Sequence, residues 1–347
     1  MRESISAEER AATLANIESM RKQRENTLKW VAAGEPLKAE FEEERKISYV
    51  QSRTSIKEIE KAAKVADYDE SGYSGMSSIE RHDAKTIVKD VEPYLVDVYF
   101  LEVAQAAAAT VGRVVDNAED AKGSGFMISK DLFITNNHVI NDQSKAQALF
   151  VEFNYELDVM RTPKPITRFA LDPTKFFMTS PKLPKGLDFT IVALGARVFG
   201  QGKLSDFGYC PLKGDIKNKH ALGTLANIIQ HPEGNFKQIS IRKNLLAARN
   251  DEVLHYYTEA EKGSSGAPVF NYRWEPIALH RAGAPIQNAY TSDGQHGPIE
   301  NVREGIRISA IVESISVAKT SLTKRECSLI DKALNCPFWH PSLIKTH

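Results

Sequence analysis

The 347-residue chain carries 45 basic and 45 acidic side chains, a formal net charge of zero, with 42% hydrophobic and 26% charged residues. That length allows a sizeable core in one large domain or two moderate ones. The charge balance argues against a nucleic-acid binder working by bulk electrostatics, which needs a clear basic excess. No apolar run approaches the roughly 18 residues of a membrane span, and the N-terminus MRESISAEERAATL places charges where a secretory signal needs its apolar core. A soluble, cytoplasmic protein with no membrane or nucleic-acid partner is expected. Cys210, Cys327 and Cys336 have no metal-ligand spacing and are too few for a disulfide framework, so free thiols are expected.

Residues 6–46 are rich in Ala, Glu, Lys, Arg and Leu and are interrupted at Gly34 to Pro36, which predicts two helices with a break. TSIKEIEKAAKVADYDE predicts another helix, with Ile56, Ile59, Ala62 and Ala63 roughly on one face. DESGYSGMSS, residues 69–78, reads as a linker, and a longer helical stretch follows over about 79–110, with Pro93 at a start or kink. From about residue 111 the texture changes to short β-type runs between Gly, Pro, Asn and Asp: GSGFMIS, LFITNNHVI, AQALFVEF, DFTIVAL, ANIIQHPEG, KQISIR, LHYYTE, APVFN, EPIALHRAG and GIRISAIV. Such a series predicts a β-sandwich or barrel, with strands ending near residue 312. VESISVAKTSL and KRECSLIDKALN then read as helices. Three regions follow: helical 1–110, β-rich 111–318 and a helical tail 319–347.

Three short stretches carry candidate chemistry. LFITNNHVI is an apolar strand running into Asn136, Asn137 and His138, where a histidine can be held with one ring nitrogen facing a cleft. GLDFTIVAL places Asp188 at the mouth of a buried strand, where a carboxylate needs a partner because burying an unpaired charge is costly. A histidine N–H suits it, fixing the imidazole tautomer and stabilising the imidazolium. EKGSSGAPVF sets Ser264 and Ser265 between Gly263 and Gly266. That turn is either a plain entry into a strand or a device aiming one hydroxyl and two backbone N–H groups at a common point. Taken singly, each stretch fits an ordinary structural role; the order His138, Asp188, Ser265, each at the lip of an apolar strand, favours the chemical reading.

GSGFMISKDLFITNNHVI, LDFTIVAL and GSSGAPVFN with EPIALHRAG together resemble the trypsin-like (chymotrypsin-fold) serine peptidases, nearest the bacterial branch of glutamyl endopeptidases and cytosolic relatives with added N-terminal modules. The resemblance covers about residues 111–318. It implies a mainly β fold, a double β-barrel with a catalytic triad in the crevice between barrels and helical additions at both ends. By motif, His138 is then the general base, Asp188 its orienter and Ser265 the nucleophile. The N–H groups of Gly263 and Ser265 form the oxyanion hole. Ser264 stands where many zymogen-activated members carry an acid, so activation by N-terminal clipping is not expected, and residues 1–110 become the expected regulatory or partner-binding region. No cofactor and no metal are implied.

The same resemblance places Glu259 near the floor of the P1 pocket and His280, Arg281 and Gly283 on its wall. Glu259 at the floor favours Lys or Arg at P1, His280 on the wall favours an acidic P1, and the two side chains cancel if they pair with one another; a basic P1 is the expectation of the two. The bland alternative for Glu259 is a solvated loop carboxylate. His231 reads as a structural residue bonding its own turn, and Tyr256 and Tyr257 as barrel packing. His220, His255, His296, His340 and His347 show no partner pattern. The expected function is a serine endopeptidase acting on a protein or peptide substrate; by family analogy it serves in defence or signalling. The competing expectation is a catalytically silent protease-fold scaffold that recruits partners through its helices.

Overall fold

The computed structural model describes residues 6–53, 98–214, 220–287 and 299–343. The helix expected over residues 54–70, the linker over 69–78, Pro93, His296 and His347 lie outside them. Ser6 opens α1 (Ala7–Ser19) with a capping box, its hydroxyl accepting from Glu9 N–H while the Glu9 carboxylate accepts from Ser6 N–H. Helix α2 (Arg21–Ala32), a 3-10 turn (Pro36–Ala39) and α3 (Glu43–Arg53) follow. The chain thus breaks at Met20 as well as at Gly34, giving three helices where the composition predicts two. Helix α4 (Tyr99–Ala109) leads into the first strand.

Strands β1 (Val111–Asp116), β2 (Ala121–Met127), β3 (Leu132–Thr135), β4 (Leu149–Phe153), β5 (Thr167–Ser180) and β6 (Phe189–Phe199) close a barrel in the order β1-β2-β3-β6-β5-β4, with the short α5 (Gln143–Gln147) before β4. Strands β7 (Asn227–Gln230), β8 (Gln238–Ser240), β9 (Leu245–Arg249), β10 (Val253–Tyr257), β11 (Pro268–Phe270), β12 (Pro276–Gln287) and β13 (Ile299–Arg307) form a second sheet ordered β8-β7-β11-β12-β13-β10-β9. This sheet curls: the chain entering β7 bonds to β9 through Ala226 N–H to the Asn244 carbonyl (2.7 Å) and Leu246 N–H to the Thr224 carbonyl (2.9 Å). Helices α6 (Ile308–Ala318) and α7 (Lys324–Asn335) close the described chain. The architecture is the expected chymotrypsin-type double β-barrel with helical additions at both ends.

Three strands are absent from the predicted runs: β1, whose VGRVVD follows closely on helix α4, and β5 and β9. In β5 the stretch Asp172-Pro173-Thr174-Lys175 interrupts the alternation, and the pairing with β6 jumps from Asp172 opposite Ala193 to Phe177 opposite Val192, a bulge. In β9, LLAAR has helix-favouring composition, and its pairing with β10 makes it a strand. The expected strand GIRISAIV ends at Arg307, with α6 beginning at Ile308, so the last strand stops short of 312. AQALFVEF likewise begins within α5.

Strands β2, β3 and β6 are apolar on both faces because both are covered. Met127, Phe133 and Val192 line the first barrel's core with Phe153, whose ring stacks on Phe207 at 4.4 Å. Their neighbours Phe126, Ile134 and Ile191 join a second, larger core that reaches Phe270 and Trp274 of the other barrel. The N-terminal segment is bound to that second barrel by charge as well as packing. The carboxylate of Glu40, buried just after the 3-10 turn, accepts from both terminal nitrogens of Arg249 (2.6 Å each) and from Leu222 N–H (2.9 Å). Removing one partner of a buried ion pair costs about 3–5 kcal/mol, and because Arg249 also holds Glu42 (3.0 Å) the lower end, about 3 kcal/mol, applies here. Glu40→Ala is therefore expected to lower the urea-unfolding free energy by about that amount; a loss near zero would mean that the N-terminal helices unfold apart from the barrels.

Candidate active site

His138 and Asp188 are brought together by the pairing of β3 with β6, in register from Leu132 opposite Ala193 to Thr135 opposite Thr190. Past Thr135 the chain turns, with the Asn136 carbonyl accepting from both Val139 and Ile140 N–H (3.2 Å each). The Asn136 amide donates to the Asp188 carbonyl (2.9 Å), and Asp188 N–H donates to the Pro181 carbonyl (2.8 Å). These bonds hold Asp188 at φ 47°, a left-handed conformation that aspartate tolerates better than most side chains.

The Asp188 carboxylate meets His138 Nδ1 at 2.9 Å through Oδ2 and 3.2 Å through Oδ1, and Oδ1 also accepts the His138 backbone N–H at 3.1 Å. Asp188 is fully buried, which works against its charge, but His138 and then Arg281 outweigh burial and hold its carboxyl below the usual carboxylate range. An ionised carboxylate only accepts, so Nδ1–H is the donor in this bond, and the neutral tautomer it selects is the one with its lone pair on Nε2.

The two serines are treated differently by the fold. Ser264 is buried: its hydroxyl accepts from Glu261 N–H (3.2 Å), and its backbone bonds to the Glu261 carbonyl and to Ala267 N–H. Ser265 is half-buried, and among the described residues its hydroxyl makes no hydrogen bond. Its carbonyl accepts from Ser124 N–H (2.8 Å), which ties the serine turn to the first barrel. Gly123 permits that approach: a Cβ there would lie 2.7 Å from a Val139 methyl and 2.9 Å from the Ser265 carbonyl oxygen. The turns bearing His138 and Ser265 therefore flank one glycine of β2.

Gly263 has φ 92°, and a Cβ on it would lie 2.7 Å from both Gly234 N and the His231 carbonyl oxygen. The Lys262 carbonyl accepts from Glu233 N–H. In a trans peptide the C=O and the following N–H point in opposite directions, so Gly263 N–H faces away from the 231–234 turn. Among the described residues neither Gly263 N–H nor Ser265 N–H has an acceptor. The 231–234 turn is itself pinned by Ser124, whose hydroxyl donates to the Gly263 carbonyl (2.8 Å) and accepts from His231 N–H (3.0 Å), and by His231 Nδ1 on the Asn235 carbonyl (3.0 Å). The bond from His231 to its own turn is the one expected from the sequence.

Of the wall and floor residues, His280 is buried and bonded through Nδ1 to the Tyr256 hydroxyl (2.7 Å), and burial pushes its pKa down to about 3. Glu259 is exposed, and its backbone carbonyl accepts from the Gln230 side chain (2.8 Å). Glu259 and His280 are therefore not paired with each other. Gly283 lies on β12 opposite Arg303. Sequence reasoning passed over His255, which is buried between Glu304 (3.0 Å) and Arg24 (3.2 Å), and the contact of Arg281 with Asp188 (3.4 Å). A charged residue inside the apolar run IALHRAG was the available signal for the second.

Residues 123–279 match the profile of the trypsin-like peptidase domain. The uncharacterized protein y4fB of Sinorhizobium fredii (strain NBRC 101917 / NGR234) is 39% identical over 255 residues, 64% of this chain and 38% of that one. The match thus spans well under half of the relative's length. Among solved structures, a Glu endopeptidase in complex with MPD covers 61% of this chain and 91% of its own at 15% identity and a TM-score of 0.37. The profile match and the barrel topology agree on a chymotrypsin-like peptidase fold. Among the described residues no helix is long and apolar enough to cross a membrane.

His231 and His280 both sit at a pKa of about 3 in the fold, against an ordinary 6.5, with burial the largest cause. Between those values the unfolded chain binds protons that the folded chain refuses, so stability is full above pH 6.5 and falls as the pH drops towards 3. His231→Gln is expected to flatten the slope of unfolding free energy against pH in that window; a slope identical to wild type would contradict the burial of a neutral imidazole.

Proposed function

We propose that the chain is a serine endopeptidase that hydrolyses peptide bonds of protein substrates through an acyl-enzyme. The observation that carries this reading is the asymmetry of the serine turn: Ser264 is turned into the protein, whereas Ser265 lies open on the turn that meets the His138–Asp188 pair across Gly123. In this mechanism Ser265 Oγ attacks the scissile carbonyl as its proton passes to His138 Nε2, and Asp188 stabilises the imidazolium. The developing oxyanion accepts from Gly263 and Ser265 N–H, each such donor contributing about 2.7–4 kcal/mol to the transition state. His138 then protonates the leaving amine, and water, activated by the same imidazole, releases the acyl group. No cofactor enters these steps.

The proposed P1 pocket is formed by Glu259, His280 and Gly283, with charge pairing to Glu259 and hydrogen bonding to His280 as its two modes of recognition. The exposure of Glu259 favours hydrogen bonding over charge pairing, because a surface carboxylate is screened. We assign the leading role to the neutral His280, fixed by Tyr256 and able to donate from Nε2 to an acidic P1 side chain. Residues 1–110 are proposed as a regulatory or partner-binding region beside a peptidase region over 111–318 and a tail over 319–347. The cytoplasmic setting, expected from the charged N-terminal sequence, and the bacterial setting and role as effector in defence or signalling, expected from the resemblance, belong to the same proposal.

Fluorophosphonate labelling of the full chain tests the assignment. Ser265→Ala is expected to abolish the label, Ser264→Ala to retain it, and Asp188→Asn to slow it by about 10^4-fold through the wrong histidine tautomer. Absence of label from wild type would favour the silent scaffold. If wild type labels, paired peptides with Glu or Arg at P1 are expected to show higher kcat/KM for Glu; faster cleavage after Arg would return the pocket to Glu259.

A further inference from the structure

Behind Asp188 runs a continuous line of buried charged and polar side chains that ends on the N-terminal helices. Arg281 Nε approaches Asp188 Oδ2 at 3.4 Å, while its Nη1 donates to Glu304 Oε1 (2.5 Å) and to the Thr13 hydroxyl of α1 (2.9 Å). Glu304 Oε2 accepts from the Asn16 amide of α1 (3.2 Å) and meets His255 Nε2 (3.0 Å), and His255 Nδ1 meets Arg24 of α2 (3.2 Å). Asp188, Glu304 and His255 are completely inaccessible, and Thr13, Arg24 and Arg281 nearly so. Arg24 can only donate, so His255 Nδ1 accepts and its Nε2–H is turned to Glu304. Burial lowers the His255 pKa, consistent with that neutral tautomer. The charges then alternate along the line, Arg24, Glu304, Arg281, Asp188, with one neutral imidazole between the first two.

Helix α1 meets the barrels largely through polar groups. The side chains of its buried face include Glu9 and Thr13 beside Ile17, and Glu9 also reaches Lys182 in the loop before Asp188 (3.4 Å). A hydrogen-bonded face of this kind supplies orientation more than apolar burial. Without α1, Arg281 and Glu304 lose Thr13 and Asn16 and face water.

We propose that Arg281 is a positioning residue for Asp188, and that its seat depends on α1, so that docking of the N-terminal helix sets the geometry of the His138–Asp188 pair. This rests on the serine peptidase reading for its consequence in catalysis, though the coupling itself is a property of the His138–Asp188 bond.

The test uses the full chain with 15N-labelled histidine and reads the His138 Nδ1–H proton signal by NMR, alongside the rate of fluorophosphonate labelling. Thr13→Val with Asn16→Leu is the principal variant, since both positions are on the helix and neither touches Asp188. It is expected to broaden or shift the Nδ1–H signal and to slow labelling about tenfold or more, the loss of hydrogen bonds to charged groups. Arg281→Gln is expected to produce a larger change in the same signal, and Arg281→Lys, which keeps the charge but not the fork, an intermediate one. Leu14→Ala, on the exposed side of α1, is expected to change neither readout. A wild-type signal in the α1 double variant overturns the proposal, as does an equal change in Leu14→Ala, which would mark general loosening. Should Arg281→Gln fail to fold, the double variant decides. A wild-type chain that shows the Nδ1–H signal but takes no label would sink the peptidase reading while leaving the coupling to be judged on the NMR signal.

Discussion

A carboxylate with no access to water constrains this molecule more than any other group. Asp188 is enclosed at the mouth of β6, and its charge persists only because His138 stands on one side and Arg281 on the other. Those two partners come from different barrels, His138 from the turn after β3 and Arg281 from β12. The barrels must therefore meet in one relative placement for the charge to be satisfied, and that placement is what sets the site between them. Buried charge is costly to leave unpaired, so the interaction acts as a registration device as well as a chemical one.

The remaining parts of the site follow from how closely the two barrels approach. Ser124 of β2 bonds with both its backbone N–H and its hydroxyl to the serine turn, at Ser265 and Gly263, and accepts from His231 as well. One short side chain thus links the first barrel, the serine turn and the 231–234 turn that orients the Lys262–Gly263 peptide. Larger residues at Gly123 or Gly263 would push these segments apart. In the proposed mechanism, preorganisation of this kind is where an oxyanion site would gain over water, because the donors are aimed before the charge develops.

Much of the fold was legible in the sequence because its signals are local. The strands LFITNNHVI and DFTIVAL announce themselves by short apolar runs, and the small residues around Ser265 mark a turn whose backbone cannot be built with side chains. The preference for Ser265 over Ser264 came from the family resemblance and belongs to the proposed function. What stayed hidden depends on contacts far apart in sequence. His255 looked partnerless because Arg24 and Glu304 are distant in the chain, and Arg281 read as pocket wall because its Asp188 contact crosses between barrels. The buried polar face of α1 gave no local signal for the same reason: Glu9 and Thr13 meet partners on the barrels, Lys182 and Arg281, that are far away in the chain. Strand β9 failed on composition, since Leu and Ala favour helix until sheet pairing overrides them.

The claim that all this geometry serves one nucleophile is tested most directly by a crystal structure of the full chain after reaction with a peptidyl phosphonate. The account predicts a single covalent adduct on Ser265 Oγ, with the phosphonyl oxygen about 2.7–3.1 Å from the N–H groups of Gly263 and Ser265 and His138 Nε2 turned to the adduct. An adduct on Ser264 or elsewhere, or a Ser265 adduct whose oxygen points away from both N–H groups, would contradict it.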